Sequence, residues 1–378
     1  MVTFGEKFRA LLATGRMANL PTVWSNVLVG FWLASALNSS YLSTLSGINL
    51  RLVFLGFILI VASCIYVGGC FLGDARDIHF DKKNRPNRPL PQGILSVSLV
   101  SFLAWGLFAL ASLVTLTYLL PSIYISMGYS LTELFGSIGA KDIKDILQLH
   151  ELAVFLIMIV CVITYAFIHK KSKPVGLLLM SSCRLLLVIF AASCAYKTMF
   201  SYEQSHGLTP PYFLQGWLEP WLMVFAGTVG AYTLLLSWVA STESTPGQFP
   251  FRKLLATCMI TLPVASYFAN TLFFKSIWAI SEYWESDPFE AAAEPIFIGM
   301  AHPPSFGVHY VALAACMAWI IFALYGLKKS KPVFVSRALA GFCLLDACFV
   351  AAYSPTIALV CIGLFCVALL LQKIAPAT

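Results

Sequence analysis

The sequence predicts an all-α protein: a polytopic transmembrane bundle of nine or ten helices enclosing a central cavity, in one domain over residues 1–378. Three observations predict it. The 378 residues are 59% apolar and only 11% charged, with a mean hydropathy of +0.83, whereas a soluble domain carries about 25% charged residues. Apolar runs of about 17–25 residues, long enough to cross the hydrocarbon core as helices, recur along the whole chain. The basic residues alternate sides between those runs, as they do in membrane proteins.

Ten runs fit the first requirement: roughly 18–37, 52–73, 98–120, 152–169, 175–196, 219–240, 253–274, 309–327, 335–352 and 355–372. They are continuous rather than alternating, so helices and not the strands of a closed barrel satisfy their backbone in lipid. Only Ser354-Pro355 separates the last two, so one kinked segment, and nine spans, is the alternative. The first run has the outline of a secretory signal, with Lys7, Arg9 and Arg16 before it and Ala34-Ser35-Ala36 near its end. It is long for a signal core and the bundle needs its first helix, so it is expected to stay.

With the N-terminus in the cytoplasm, 18 of the 24 Lys and Arg residues fall on the cytoplasmic face. They include Arg76, Lys82, Lys83, Arg85 and Arg88 after the second span, Lys170, Lys171 and Lys173 after the fourth, and Lys328, Lys329, Lys331 and Arg337 around the eighth. Five lie opposite (Arg51, Lys141, Lys144, Lys197, Lys275), and Arg184 lies inside the fifth span. This bias sets the orientation and gives the net charge of +7 a topological meaning. Neither nucleic acid nor haem is expected as a partner. The chain is read as an integral, multi-pass protein, of the cytoplasmic membrane if bacterial.

The eleven cysteines form no C-x-x-C pair and sit in apolar runs, so they read as small packing residues rather than as a disulfide framework or zinc site. On the outer face, the acidic segment 275–308 reads as a solvated loop with aromatic interface anchors, and Lys141-Asp142-Ile143-Lys144-Asp145 as a solvated helix fragment.

The chemistry concentrates where the second span ends, in Gly73-Asp74-Ala75-Arg76-Asp77-Ile78-His79-Phe80-Asp81. Asp74, Asp77 and Asp81 fall within an arc of roughly 60° on one helix face. Three like charges on one face repel unless something cationic neutralises them. Mg2+ is such a cation, and it commonly bridges one or two carboxylates to substrate phosphates. The loop that follows, Lys82-Lys83-Asn84-Arg85-Pro86-Asn87-Arg88-Pro89-Leu90-Pro91-Gln92-Gly93, adds four cations. Arginine reads phosphate in a bidentate way, and three prolines stiffen the loop. Charge alone fits equally well a basic cytoplasmic loop with acidic salt-bridge partners. Arg184 and Asp346 are isolated charges inside spans. An arginine at a helix centre costs about 2.5–3.5 kcal/mol on insertion scales, so Arg184 faces the bundle interior, in a pocket or paired; a pair with Asp346 is one option.

Order and spacing separate the two readings of residues 73–93. D-x-x-D-x-x-x-D, a short basic stretch and R-P-x-R-P-L-P-x-G resemble the first signature of the UbiA family of intramembrane prenyltransferases. The opening Asn19-Leu20-Pro21-Thr22-Val23-Trp24-Ser25-Asn26 is similar to the start of that family, and Cys183-Arg184 stands where the family commonly has an arginine. Within the family, the chain looks closest to a branch called EboC, for which metabolite transport has been suggested.

The resemblance implies Mg2+ held by Asp74, Asp77 and Asp81 on an isoprenyl diphosphate. Arg16, Asn19, Arg85, Arg88, Tyr165, Lys170, Lys171 and Arg184 are implied as substrate-binding residues. It further implies departure of diphosphate, attack on the allylic cation by a lipid-soluble acceptor, and an apolar bundle that keeps water out. Two departures stand against it. Gly73 replaces the usual asparagine, and the second signature, a D-x-x-x-D at the end of span six, is reduced to Glu243. Glu243 either completes a metal site or caps the helix end. The alternative function is a non-catalytic protein of the same type that binds or moves an isoprenoid or related lipid-soluble metabolite.

Overall fold

The computed structural model describes residues 3–35, 45–126, 150–205, 220–243, 247, 249–285, 306–351 and 354–374. Among them every element is helical. The amphipathic α1 (Phe4–Thr14) and a single 3-10 turn (Met17–Asn19) lead into α2 (Leu20–Ser35). Then follow α3 (Leu45–Arg76), the short α4 (Ile78–Asn84), α5 (Val97–Ser126), α6 (His150–Ile168), α7 (Lys173–Ser205) and α8 (Pro220–Ala240). The last four are α9 (Arg252–Glu285), α10 (Phe306–Lys329), α11 (Lys331–Val350) and α12 (Pro355–Ile374).

A helix therefore stands at each of the ten expected spans, and among the described residues eight are long and apolar enough to cross a membrane. The chain is a polytopic membrane protein. The helices at the first and seventh positions are α2, with 16 residues, and α9, which carries an internal proline, Pro263. Several helices outrun their apolar stretch; α7 and α9 exceed 30 residues, because hydropathy marks the hydrocarbon crossing while helical hydrogen bonding continues into the interface. The fragment Lys141–Asp145 and residues 286–305 of the acidic outer segment lie outside the described residues. All eleven cysteines are free thiols.

The last two spans are separate. Ser336, near the start of α11, donates to Gln372 Oε1 at 2.9 Å, and Gln372 Nε2, near the end of α12, donates back to the Ser336 carbonyl at 2.9 Å. Only an antiparallel hairpin brings those two ends together, so the nine-span alternative falls. The hairpin starts on a good cap: Ser330 Oγ accepts from the Val333 N–H, with a proline in the first turn.

Sequence also explains which helices face lipid. Helix α11 is buried continuously from Ala340 to Val350. Its surroundings are α2, α8, α10 and α12. Helices α3, α5, α6, α10 and α12 instead expose large apolar residues such as Phe102, Val160, Val311 and Leu370, the surface expected of a lipid-facing wall. Small residues set the closest approach. A Cβ on Gly30 of α2 would stand 2.9 Å from the Val188 carbonyl of α7, so only glycine lets these two backbones meet this closely.

Candidate functional site

Five links gather at one end of the bundle: the turn before α2, the α3–α4–α5 connection, the α6–α7 link, the α8 exit and the α10–α11 link. Contacts join them directly. Lys170 Nζ lies 3.3 Å from Asp77 Oδ2, Arg85 Nη2 lies 3.4 Å from Glu243 Oε2, and Lys331 Nζ donates to the Thr242 carbonyl at 2.8 Å. Odd-numbered spans thus enter, and even-numbered spans leave, on the face that the basic residues mark.

Asp74 and Asp81 form the centre of this face. Seven residues advance a helix by about 700°, so these two are only about 20° apart, while Asp77 sits about 60° to one side of Asp74. The structure uses that difference. Arg88 Nη1 lies 2.8 Å from Asp81 Oδ2 and 3.2 Å from Asp74 Oδ1, so one guanidinium bridges both. Asp77 turns instead to the α6–α7 link, where its Oδ2 meets His169 Nε2 at 3.1 Å and Lys170 at 3.3 Å. Within the expected set of three carboxylates, Asp74 and Asp81 share one cation and Asp77 has partners of its own. α3 stops at Arg76, and Asp77 takes φ −81°, ψ 1° as the residue before α4. Burial raises the Asp77 pKa, but the contacts from His169 and Lys170 outweigh it, leaving the carboxyl below its ordinary value.

Arg16 approaches the pair from the other side, with Nη2 3.5 Å from Asp74 Oδ1. Burial works against its charge, yet Asp74 outweighs that and holds its pKa above the ordinary arginine value. Among the described residues Arg16 is the one non-glycine residue in the left-handed region, at φ 47°. Such a conformation costs about 1–3 kcal/mol and persists where its surroundings fix it.

Glu243 sits across the basic loop from the aspartates. Arg85 holds it, and Arg88 is three residues further along the same loop. Burial raises the Glu243 pKa, with Arg85, Arg16, Arg88 and Lys331 opposing. The two acidic positions therefore converge through the loop.

The remaining expected residues divide. The Tyr165 ring stacks on His169 with centroids 4.8 Å apart, placing it beside Asp77. Lys170 also covers the Phe80 ring at 4.0 Å. Lys171 is exposed and, among the described residues, makes no ion pair with the cluster. Asn19 is buried at the 3-10 turn. Arg184 lies deeper, in the bundle interior: Nη1 donates to the Thr22 carbonyl (3.1 Å) and Asn26 Oδ1 (2.8 Å), and Nη2 to Thr22 Oγ1 (2.9 Å). Asn26 Nδ2 in turn lies 2.9 Å from both oxygens of Asp346. The two intramembrane charges are coupled through an amide rather than paired directly.

Sequence reasoning missed His169 and the contact role of Lys331, which entered only as a topological charge. The spacing of Tyr165 and His169, four apart at the exit of span four, was the available signal for the first.

No gathering of three or more His, Cys, Asp or Glu side chains forms a metal cage among the described residues. The oxygen donors nevertheless suit a hard cation. Asp81 Oδ1 and Glu243 Oε1 are buried without a hydrogen-bond partner, and a buried acceptor in that state is costly unless a cation or donor meets it.

No family model matches the chain. Over 86 residues it is 41% identical to the digeranylgeranylglyceryl phosphate synthase of Sulfurisphaera tokodaii, covering 23% of this chain and 30% of that enzyme. Over 73 residues it is 36% identical to the synthase of the same name from Sulfolobus acidocaldarius, covering 19% and 25%. The match thus spans less than a third of the length of either curated relative. A solved structure described by its work on digeranylgeranylglyceryl phosphate synthase in membranes aligns over 95% of this chain and 99% of that one, at 14% identity and a TM-score of 0.43. That likeness is too loose to decide fold or activity.

Proposed function

We propose that the chain is a prenyltransferase of the UbiA type, transferring an isoprenyl group from an isoprenyl diphosphate to a lipid-soluble acceptor within the membrane. The observation that carries this reading is the Arg88 guanidinium bridging Asp74 and Asp81, with Arg16 on the same aspartate and Arg85 on Glu243. Acids and bases alternate at the mouth of an otherwise apolar bundle, which is what a metal–diphosphate pair requires. The similarity to two synthases named for a prenyl transfer product supports the same reading.

Asp74 and Asp81 would hold Mg2+, which when bound neutralises the diphosphate and withdraws charge from its oxygens. The protein's own residues do the rest. With its carboxylates engaged elsewhere, Arg88 is released to the phosphates, together with Arg16, Arg85 and Lys170. As the donor's C1–O bond breaks, the electron pair leaves with diphosphate, and these fixed cations meet the charge that develops. Tyr165 and Asp77 hold His169 and Lys170 at the rim. The apolar interior takes the isoprenoid tail and keeps water from the electrophilic carbon. On the charge bias, this mouth faces the cytoplasm.

The test is purified protein with Mg2+, donors of C10 to C20 and longer, and a lipid extract, read by product mass and diphosphate release. A prenylated product that disappears in Asp74→Ala and Asp81→Ala is the expected result. Turnover that survives both would end the site assignment. The single acid at the α8 exit favours one other reading, binding or transport without transfer; tight donor binding with no product from any acceptor would establish it.

A further inference from the structure

A line of hydrogen bonds runs from the bundle interior to the mouth. It begins at Asp346 on α11, which is fully buried and takes the Asn26 amide on both oxygens. Asn26, also fully buried, accepts from Arg184 on its other side. The amide cannot be turned round, because its oxygen must face a guanidinium that only donates and its nitrogen a carboxylate that only accepts. Arg184 then donates to Thr22 Oγ1, which donates to the Asn19 carbonyl at 2.7 Å. The Asn19 N–H donates to the Arg16 carbonyl at 2.9 Å. Tyr66 reaches the same carbonyl at 3.5 Å. The line ends at the left-handed residue, with its guanidinium on Asp74.

We infer that Asp346, Asn26, Arg184 and Thr22 form a brace that fixes the backbone of Arg16, which makes them positioning residues for the anion-binding mouth although none of them touches it. The consequence for the site rests on the reading above that Arg16 faces phosphate; the brace itself does not. A strained residue holds its conformation only when its surroundings over-determine it. Here the carbonyl of Arg16 and the turn that follows are both secured from α2, and α2 is secured by α7 and α11. Donation runs outward from Arg184 in both directions, through Asn26 to Asp346 and through Thr22 to the Asn19 carbonyl, so each link along either arm polarises the next. Arg184 thereby has a task other than ligand contact: its charge is balanced by Asp346 at a distance, through one amide.

Exchange of the two ends tests it. Asn26→Asp alone sets two carboxylates face to face; Asp346→Asn alone leaves Arg184 uncompensated. The double exchange N26D/D346N restores one acid and one amide in the same places. Two measurements read the result: trypsin cleavage after Arg16 in ligand-free protein, and Mg2+-dependent binding of inorganic pyrophosphate. Each single change is expected to speed cleavage and weaken pyrophosphate binding by about tenfold, and the exchange to recover most of both. Should a single variant fail to fold, Thr22→Val against Thr22→Ser asks the same question, since only the first breaks the link to Asn19. Single variants that melt earlier while cleavage after Arg16 is unchanged would reduce the network to core packing and overturn the brace, as would an exchange that restores neither measurement. Wild-type protein that binds no pyrophosphate but shows the cleavage pattern would sustain the brace and refute the diphosphate reading.

Discussion

Two charged regions of this protein use the same side chains to opposite ends. At the mouth, Arg88, Asp74 and Asp81 touch directly, and Arg16, Arg85 and Lys170 remain part-exposed at 33%, 29% and 41%. In the interior, Arg184 and Asp346 never touch; Asn26 stands between them, and burial is nearly complete. The ion pairs of these part-exposed cations, Arg16, Arg85 and Lys170, are weak and exchangeable, so they can leave their carboxylates for a ligand. A buried charge separated by a fixed amide can do neither, and it locks three helices in register. Exchangeability, rather than charge, distinguishes a site from a scaffold here.

Substitutions sharpen that contrast. The largest loss of stability should come from Asn26→Leu, which strands two buried charges at once. Thermal unfolding in detergent should show destabilisation of about 3 kcal/mol or more. Asp81→Asn should do the reverse, lowering turnover by about a hundredfold or more while costing less stability than Asn26→Leu, because the amide oxygen still accepts from Arg88. Arg88→Ala should weaken diphosphate binding by about tenfold yet tighten Mg2+ binding in the absence of donor, because the carboxylates lose their resident cation; calorimetry with each ligand separates the two. Glu243→Gln should cost least, about 1 kcal/mol or below, since Arg85 is part-exposed. Its effect on pH dependence is the clearer sign. A carboxyl whose folded pKa is raised binds more protons folded than unfolded, so its contribution to stability falls as pH rises from the ordinary carboxylate value through the raised one. Glu243→Gln should remove that fall. Asp77, with a lowered pKa, contributes with the opposite slope, losing stability as pH drops through its folded value.

Much of this was legible in the sequence, for physical reasons. Apolar runs must be helices in lipid, so a helix at each of the ten expected positions follows from hydropathy alone. The 73–93 block showed that its acids need cationic partners, because like charges on one helix face repel. What the sequence left open was every pairing across the chain. The spacing of Asp74, Asp77 and Asp81 could not say that Asp77 would be claimed by His169, 92 residues away. Arg184 and Asp346 were each visible as anomalies, but an asparagine 158 and 320 residues distant as their coupler was not. The choice between nine and ten spans turned on Ser336 and Gln372, whose polarity carries no signal until they meet.

The loop from Arg85 to Arg88 has a consequence for how such a mouth could change over time. Three residues of chain reach about 10 Å at most, and this stretch is stiffened by Pro86 and Pro89. One end grips Glu243 and the other grips the aspartate pair. The loop is therefore a ruler laid between two acidic stations on different helices. Any drift in the relative height of α3 and α8 would be felt at once as a mismatch along it. The mouth is gauged by a fixed length of peptide, and the two halves of the bundle are held to a common tolerance.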